Sequence, residues 1–416
     1  MDNLILGNLK VLLRSTPEEW LAATGGTATL VTGTDATHDT GWLTQHYGSA
    51  FAAIHAYPNY TMNDSVLKRV DEIVSRGSFR RIIAMSEADV MRAALLRERH
   101  GIPGLTPDQA IRMRDKYLMK ESLKDHGIPI PRYRKVRNAL DVSDFVTEVG
   151  YPIVLKPVCG AGSMHTYVIE SEQELDEVLA AGYFSGFIVD KMPELLAEEF
   201  IHGQQYRIDG FYADGKCQYI TAARLIGTNL EFMNGRHFAN SLLDAGSELS
   251  RQIVSFAQNI LENALPFGRE GMFHMEIWQR PDGEFVFGEV GARLGGISIF
   301  EENRFGFEVD YKMAAVRALC GLGTPDWPSP EKLQKRFAGH VVISPRAGFL
   351  EEVPSSCPFD WVLDYKHKPA GQRYSLMRGS NDEVAMVMVA GSSEEEVEKR
   401  LQEVAQWFYD NTVWAD

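Results

Sequence analysis

A chain of 416 residues is too long for one ordinary hydrophobic core and suits two or three. Hydrophobic residues make up 44% and charged ones 24%, which excludes extensive disorder, and the net charge of -15 excludes a broad electrostatic footprint for nucleic acid or an anionic membrane. Cys159, Cys217, Cys320 and Cys357 show neither C-x-x-C nor metal-finger spacing, so a reducing cytoplasm is the expected location.

The N-terminal run MDNLILGNLKVLLRS carries Asp2 early and lacks the long apolar core and small-residue cleavage site of a secretion signal. No other stretch reaches the roughly 18 apolar residues of a membrane span. Up to about residue 105, short apolar runs (TATLVTGT, AFAAIHAY, RRIIAMSE) alternate with helical patterns (SVLKRVDEIVSRG, ADVMRAALLRERHG), as in a small parallel α/β layer with crossover helices. Such sheets meet ligands at the carboxyl ends of their strands, which makes Glu87, just past IIAMS, a candidate; an acid at a helix start is equally served by the helix dipole.

IPGLTP at 102 to 107 reads as a linker, and DQAIRMRDKYLMKESLKDHG as a helix with a glycine stop that carries Lys116. YPIVLKP and MHTYVIE read as two strands of a hairpin flap joined by VCGAGS. Lys156 ends the first strand, Gly160 and Gly162 let backbone approach a phosphate, and Ser163 can donate a hydroxyl. No Walker A motif exists, and GAGSMH lacks the third glycine of a dinucleotide fingerprint. A helix (SEQELDEVLAAG), a strand (LLAEEFI) and a hairpin (YRIDGFYADGKCQYITAARLI) turning at Ala213-Asp214-Gly215 follow. After the amphipathic helix SELSRQIVSFAQNILENAL come a second hairpin, GMFHMEIWQRPDGEFVFGEVG, and a helix near DYKMAAVRALCG. From about 326 prolines thicken, and short strands (GHVVIS, WVLDY, VAMVMVAG) precede a last helix, giving expected divisions at 1–105, 106–325 and 326–416.

In the second hairpin, a two-residue turn at Asp282-Gly283 places Glu276 opposite Glu289, unless a bulge shifts the register by one. Opposed residues on antiparallel strands have Cβ atoms roughly 4.5 to 5.5 Å apart, so two carboxylates there repel and call for a cation between them. Magnesium, with its preference for carboxylate, phosphate and water oxygens, is the natural one; a solvent-exposed acidic face is the alternative.

Taken in order, RDK, IVLKP, GAGS, AEEFIHGQQYRID, FHMEIW and FGEVGARLGG resemble the ATP-grasp pattern over about residues 80 to 320. The resemblance implies α+β lobes gripping ATP, with a Rossmann-like N-terminal domain, a mobile lid at about 132–197 and a β-rich C-terminal subdomain. Carried onto this chain, Lys116, Lys156 and the loop Gly160, Gly162, Ser163 would meet phosphates, and Glu198, Glu199 and Ile201 would form the adenine hinge. Gln205 stands where the family often has a ribose-binding glutamate. Glu276 and Glu289 would hold magnesium, or manganese in its place, and Arg293 would face the transferred phosphoryl group. Gly291 replaces the usual asparagine ligand, which leaves the metal count open.

The segment from SEADVMRAALLRERHG to IPRY and the GARLGG ending resemble the branch that joins unprotected L-amino acids into dipeptides. An acyl-phosphate route with ATP, small-molecule amino-acid substrates and a homodimer are the implied expectations. Within that branch Glu87 is a candidate for a substrate ammonium, and Arg224 and His237 for the amino-acid pocket. Two alternatives stand beside it: an ATP-grasp enzyme of nucleotide biosynthesis or a biotin carboxylase-like subunit, and a non-catalytic ATP-binding scaffold.

Overall fold

The computed structural model describes residues 2–160, 162, 164–184, 194–227, 237–376 and 382–415. It mixes helices with parallel and antiparallel sheets. The first sheet is parallel: β1 (Asp2–Leu6), β2 (Thr29–Thr34), β3 (Ala53–Pro58) and β4 (Phe79–Ala84) lie in the order β3-β2-β1-β4. The N-terminal apolar patch is thus an inner strand. Leu4, Ile5 and Leu6 have no exposed surface, as expected of a parallel strand covered on both faces.

The second sheet, β5 (Tyr133–Val136), β6 (Ile153–Pro157), β7 (Tyr167–Ile169) and β8 (Leu195–Glu199), runs antiparallel in the order β5-β8-β6-β7. It includes the expected flap hairpin and packs its own small core around Phe145, Ile153, Leu155 and Leu195. This core is separate from those of the other sheets, and Tyr133 of β5 packs edge-on against Tyr117 with ring centroids 5.8 Å apart.

The largest sheet has eight strands: β9 (Gln204–Ala213), β10 (Lys216–Ile226), β11 (His237–Leu242), β12 (Gly271–Gln279), β13 (Phe285–Gly291), β14 (Phe337–Ile343), β16 (Val362–His367) and β18 (Ala385–Gly391). Their order is β13-β12-β9-β10-β11-β14-β18-β16. Three strands from beyond residue 326 therefore extend the central sheet instead of forming a sheet of their own. A small sheet of β15 (Gly348–Glu352), β17 (Gln372–Tyr374) and β19 (Val413–Ala415) closes the C-terminal end. One face of the central sheet buries apolar residues against helix Glu248–Asn259 and, farther along, helix Glu394–Asp410. The other face is polar near β12 and β9. Among the described residues no helix is long and apolar enough to cross a membrane.

Two bulges set which residues reach that polar face. In the β9–β10 hairpin Ala213 pairs with Lys216, but the register shifts between Cys217 and Tyr219. In the β12–β13 hairpin the register shifts beside Glu276, and Gly288 is the extra residue. A Cβ at Gly288 would lie 2.0 Å from the Trp278 ring, so only glycine fits.

Candidate active site

Glu276 does lie opposite Glu289. The turn is not the expected one: Arg280 N–H donates to Glu284 O and Gln279 pairs with Phe285, which is one residue off a two-residue turn. The bulge at Gly288 restores the offset, so both carboxylates return to the same face.

Lys116 enters this face from the helix Lys116–Leu123, whose N-terminus is capped by Asp115 accepting from Tyr117 and Leu118 N–H. Its Nζ lies 3.0 Å from Glu289 Oε2 and donates to Gly160 O at 3.3 Å. Burial would push the Glu289 carboxyl up, but Lys116, with Lys156 and Lys120 beyond, holds it down at about 2. One turn along, Lys120 bonds Glu198 at 2.6 Å and donates to the bulge carbonyl of Gly288 at 3.0 Å. Lys156 bonds the other Glu198 oxygen at 2.6 Å. Burial alone would raise Glu198, and the two lysines more than reverse this. Glu198 thus ties β6, β8 and the lysine helix together.

Behind Glu276 lies a chain of buried polar groups. Gln205 Nε2 donates to Glu276 Oε2 at 2.9 Å, and His274 Nε2 lies 3.4 Å from Oε1. His274 Nδ1 meets Asp209 Oδ1 at 2.8 Å. Asp209 is in turn gripped by Arg207 at 2.5 Å, while Arg207 also contacts Glu302 and donates to Asn240 at 3.1 Å. Arg207 is 2% exposed, and Asp209 and Glu302 are fully buried. Burial would push the His274 imidazole down, but Asp209 raises it to about 9.

A raised imidazolium stabilises the fold below its ordinary value near 6.5 and loses that contribution as pH rises through about 9. The gap corresponds to about 3 kcal/mol. In the metal-free protein His274→Gln should therefore abolish this part of the stability change between pH 6.5 and 9, read by urea unfolding at both ends. Parallel curves for variant and wild type would exclude the pairing.

Arg293, just past β13, donates to Glu87 Oε2 at 2.7 Å, and Arg114 holds Glu87 Oε1 at 3.1 Å. Each oxygen of Glu87 thus meets one guanidinium, and the carboxylate anchors Arg293. Burial alone would lower the Arg293 guanidinium, but Glu87 raises it.

The structure thus brings Lys116, Lys156, Gly160, Glu198, Gln205, Glu276, Glu289 and Arg293 into one connected polar face. Gly162 adopts a left-handed φ of 66° in the adjoining loop, and Ser163 lies outside the described residues. Glu199 turns to Arg132 and Arg280, each at 3.3 Å, and Ile201 is buried beside it. Arg224 and His237 do not belong to this face. Arg224 pairs with Tyr206 across the hairpin and bonds Glu398 at 2.7 Å on the last helix; His237 meets Tyr409 of that helix. Lys120, His274, Asp209, Arg207 and Arg114 were not picked out from sequence, although Lys120 follows Lys116 by four residues and His274 precedes Glu276 by two.

Among the described residues no group of three or more His, Cys, Asp or Glu could enclose a metal. Two facing carboxylates with only oxygen donors suit a hard divalent cation that takes its remaining ligands from phosphate and water. They do not suit a soft or redox metal.

Residues 149–301, which carry much of this face, match the family model described as the ATP-grasp domain. An L-amino acid ligase from Bacillus licheniformis has the same fold, with a TM-score of 0.71 at 17% identity over 100% of this chain and 99% of that one. The biotin carboxylase domain of a 2-oxoglutarate carboxylase from Hydrogenobacter thermophilus, solved with MgADP and bicarbonate, superposes with a TM-score of 0.69 at 15% identity, covering 100% of this chain and 90% of that one. By sequence, the L-arginine-specific L-amino acid ligase of Bacillus subtilis is 26% identical over 236 residues, 56% of each chain. The chain spans about half the length of the curated relatives it matches.

Proposed function

We propose that this protein is an ATP-dependent carboxylate–amine ligase that joins two L-amino acids into a dipeptide. The observation that carries the reading is the cluster of two buried lysines, a third partly buried one and two facing carboxylates beside an anchored arginine. Such a site neutralises charge and positions groups, which is what phosphoryl transfer needs. Among the described residues, the cluster holds no side-chain nucleophile.

In this reading Lys116, Lys156 and the Gly160–Gly162 loop hold the phosphates of ATP, and Glu198, Glu199 and Ile201 frame the adenine. Glu276 and Glu289 would hold magnesium, which supplies charge neutralisation at the phosphates when bound. Gln205 and His274 orient Glu276, and Glu87 and Arg114 orient Arg293 beside the acceptor carboxylate. The carboxylate oxygen of one amino acid takes the γ-phosphoryl group and ADP leaves. The amine of the second attacks the acyl carbon, phosphate departs, and the amine proton is lost to solvent. The sheet β5–β8, with its separate core, serves as the lid that keeps water from the acyl phosphate.

Screening amino-acid pairs for phosphate release, with mass spectrometry of the products, tests this. ADP formation that depends on two amino acids and a product of dipeptide mass are expected. ADP release that requires bicarbonate or a nucleotide precursor would favour the other ATP-grasp chemistries, and ATP binding without turnover under every pair would favour a scaffold.

A further inference from the structure

Asp209 on β9 stands directly opposite His274 on β12, and two residues away Arg207 stands opposite Glu276. Strand side chains alternate with period two, so all four share one face. Asp209 has no exposed surface, and both its oxygens are engaged, Oδ2 by Arg207 and Oδ1 by His274 Nδ1. The other nitrogen of that imidazole, Nε2, lies 3.4 Å from Glu276 Oε1. Asp209 is thus one side chain removed from a carboxylate that would hold magnesium.

On its other side Asp209 meets the loop of residues 292–298, which joins β13 to helix Ile299–Phe307 and carries Arg293. A Cβ at Gly295 would lie 2.6 Å from Asp209 Oδ1 and 3.1 Å from the Ile299 side chain, so the loop backbone rests against the carboxylate with no room for a side chain. The carboxylate cannot swing clear without giving up its bond to His274. The peptide that joins Leu294 to Gly295 also supplies the carbonyl to which Arg293 Nη1 donates at 2.8 Å. One oxygen atom, Asp209 Oδ1, therefore touches the histidine behind Glu276 and the turn of chain that holds Arg293. The next position differs: a Cβ at Gly296 would meet nothing within 4 Å.

We infer that Asp209 is a positioning residue for phosphoryl transfer, which fixes the spacing between the metal-holding carboxylate of Glu276 and the guanidinium of Arg293. Cation and arginine then neutralise one developing charge together. A displacement of about 1 Å at such a site costs on the order of a hundredfold in rate. It follows that a methyl group added at Gly295, on the loop of the arginine, is felt at the metal.

The inference rests on the ligase reading, and two readouts keep their failures apart. The first is the dissociation constant of magnesium in the presence of ADP, by isothermal titration calorimetry on the full chain. The second is kcat and the KM for ATP at saturating magnesium, with the amino-acid pair that releases most ADP. Gly295→Ala should raise the magnesium constant at least threefold and lower kcat at least tenfold, with the KM for ATP within twofold. Gly296→Ala should leave both readouts at the wild-type level. Asp209→Ala should act in the direction of Gly295→Ala, and adding Gly295→Ala to it should cost less than a further twofold, because the oxygen that the methyl group meets is gone. If Asp209→Ala does not fold, the comparison of Gly295→Ala with Gly296→Ala decides alone. A magnesium constant unmoved in Gly295→Ala, equal losses in the two glycine variants, or losses that multiply in the double variant overturn the inference and leave the ligase reading standing. No ADP release by the wild type with any amino-acid pair overturns the ligase reading, and the magnesium constants then decide the inference. Wild type that binds no magnesium with ADP overturns both.

Discussion

Glu289→Ala and Lys156→Ala should each lower amino-acid-dependent ADP formation by a hundredfold to a thousandfold, with little change in fold. Losses of that size follow from removing one preorganised charge at a site of developing negative charge. The two variants probe different ends of the cluster. Glu289 is half-buried and held at about 2 by the lysines around it, so it is fully charged at neutral pH and available to a cation. Its loss leaves Lys116 still donating to Gly160 O. Lys156→Ala leaves Glu198 paired with Lys120 at 2.6 Å, so no carboxylate is stranded. A coupled ADP assay reads the rate, and the urea midpoint reads the fold. Turnover retained in both variants would remove these residues from the site.

The opposite pattern is expected at Arg207, where stability falls first. Arg207→Ala strands the fully buried carboxylate of Glu302, leaves the fully buried Asp209 with His274 as its remaining charged partner, and takes a donor from Asn240. Breaking one side of a buried ion pair costs about 3–5 kcal/mol, because the partner is left charged in a poorly solvating interior. Arg207→Lys should rescue only part of this, since one ammonium cannot reproduce contacts made along three directions of a guanidinium. Arg251→Ala, whose exposed side chain pairs with exposed Glu248, should be silent. Urea unfolding compares the three, and a wild-type midpoint in Arg207→Ala would show that the network is dispensable.

The placement of Glu276 and Glu289 was legible in the sequence because side chains on a strand alternate with period two, and a glycine turn fixes the parity. The agreement had a compensating part, since the turn and the bulge at Gly288 each shift the register by one. The side to which Arg224 points depends on the same physics. Counting back from the Asp214-Gly215 turn without a bulge pairs Arg224 with Gln205, on the Glu276 face. The extra residue at Gln218 pairs it with Tyr206 and turns it to the opposite face. A bulge with no glycine to mark it leaves no local signal. The N-terminal strand was hidden for another reason: DNLIL has no alternation, and its role as an inner strand depends on β2 and β4, far along the chain.

The buried network was partly visible. In Gln205-Tyr206-Arg207-Ile208-Asp209, polar and apolar residues alternate in opposite-charge register, a pattern that a solvated strand does not need. Its partner Glu302 lies about a hundred residues on, beyond any local rule. Ion pairing across such distances is set by packing of the helix Ile299–Phe307 on β14, not by sequence spacing.

That packing bears on where this protein can be divided. β11 is paired along His237–Ser241 with β14, and β14 along its whole length with β18. A fragment ending near residue 325 would therefore leave β11 with a bare row of amide and carbonyl groups, the kind of edge on which chains stack into aggregates. It would also remove His340 from beside Glu302. The β-rich C-terminal stretch is thus a load carried by the central sheet itself, and grafting or trimming it alters the floor on which Glu276 stands.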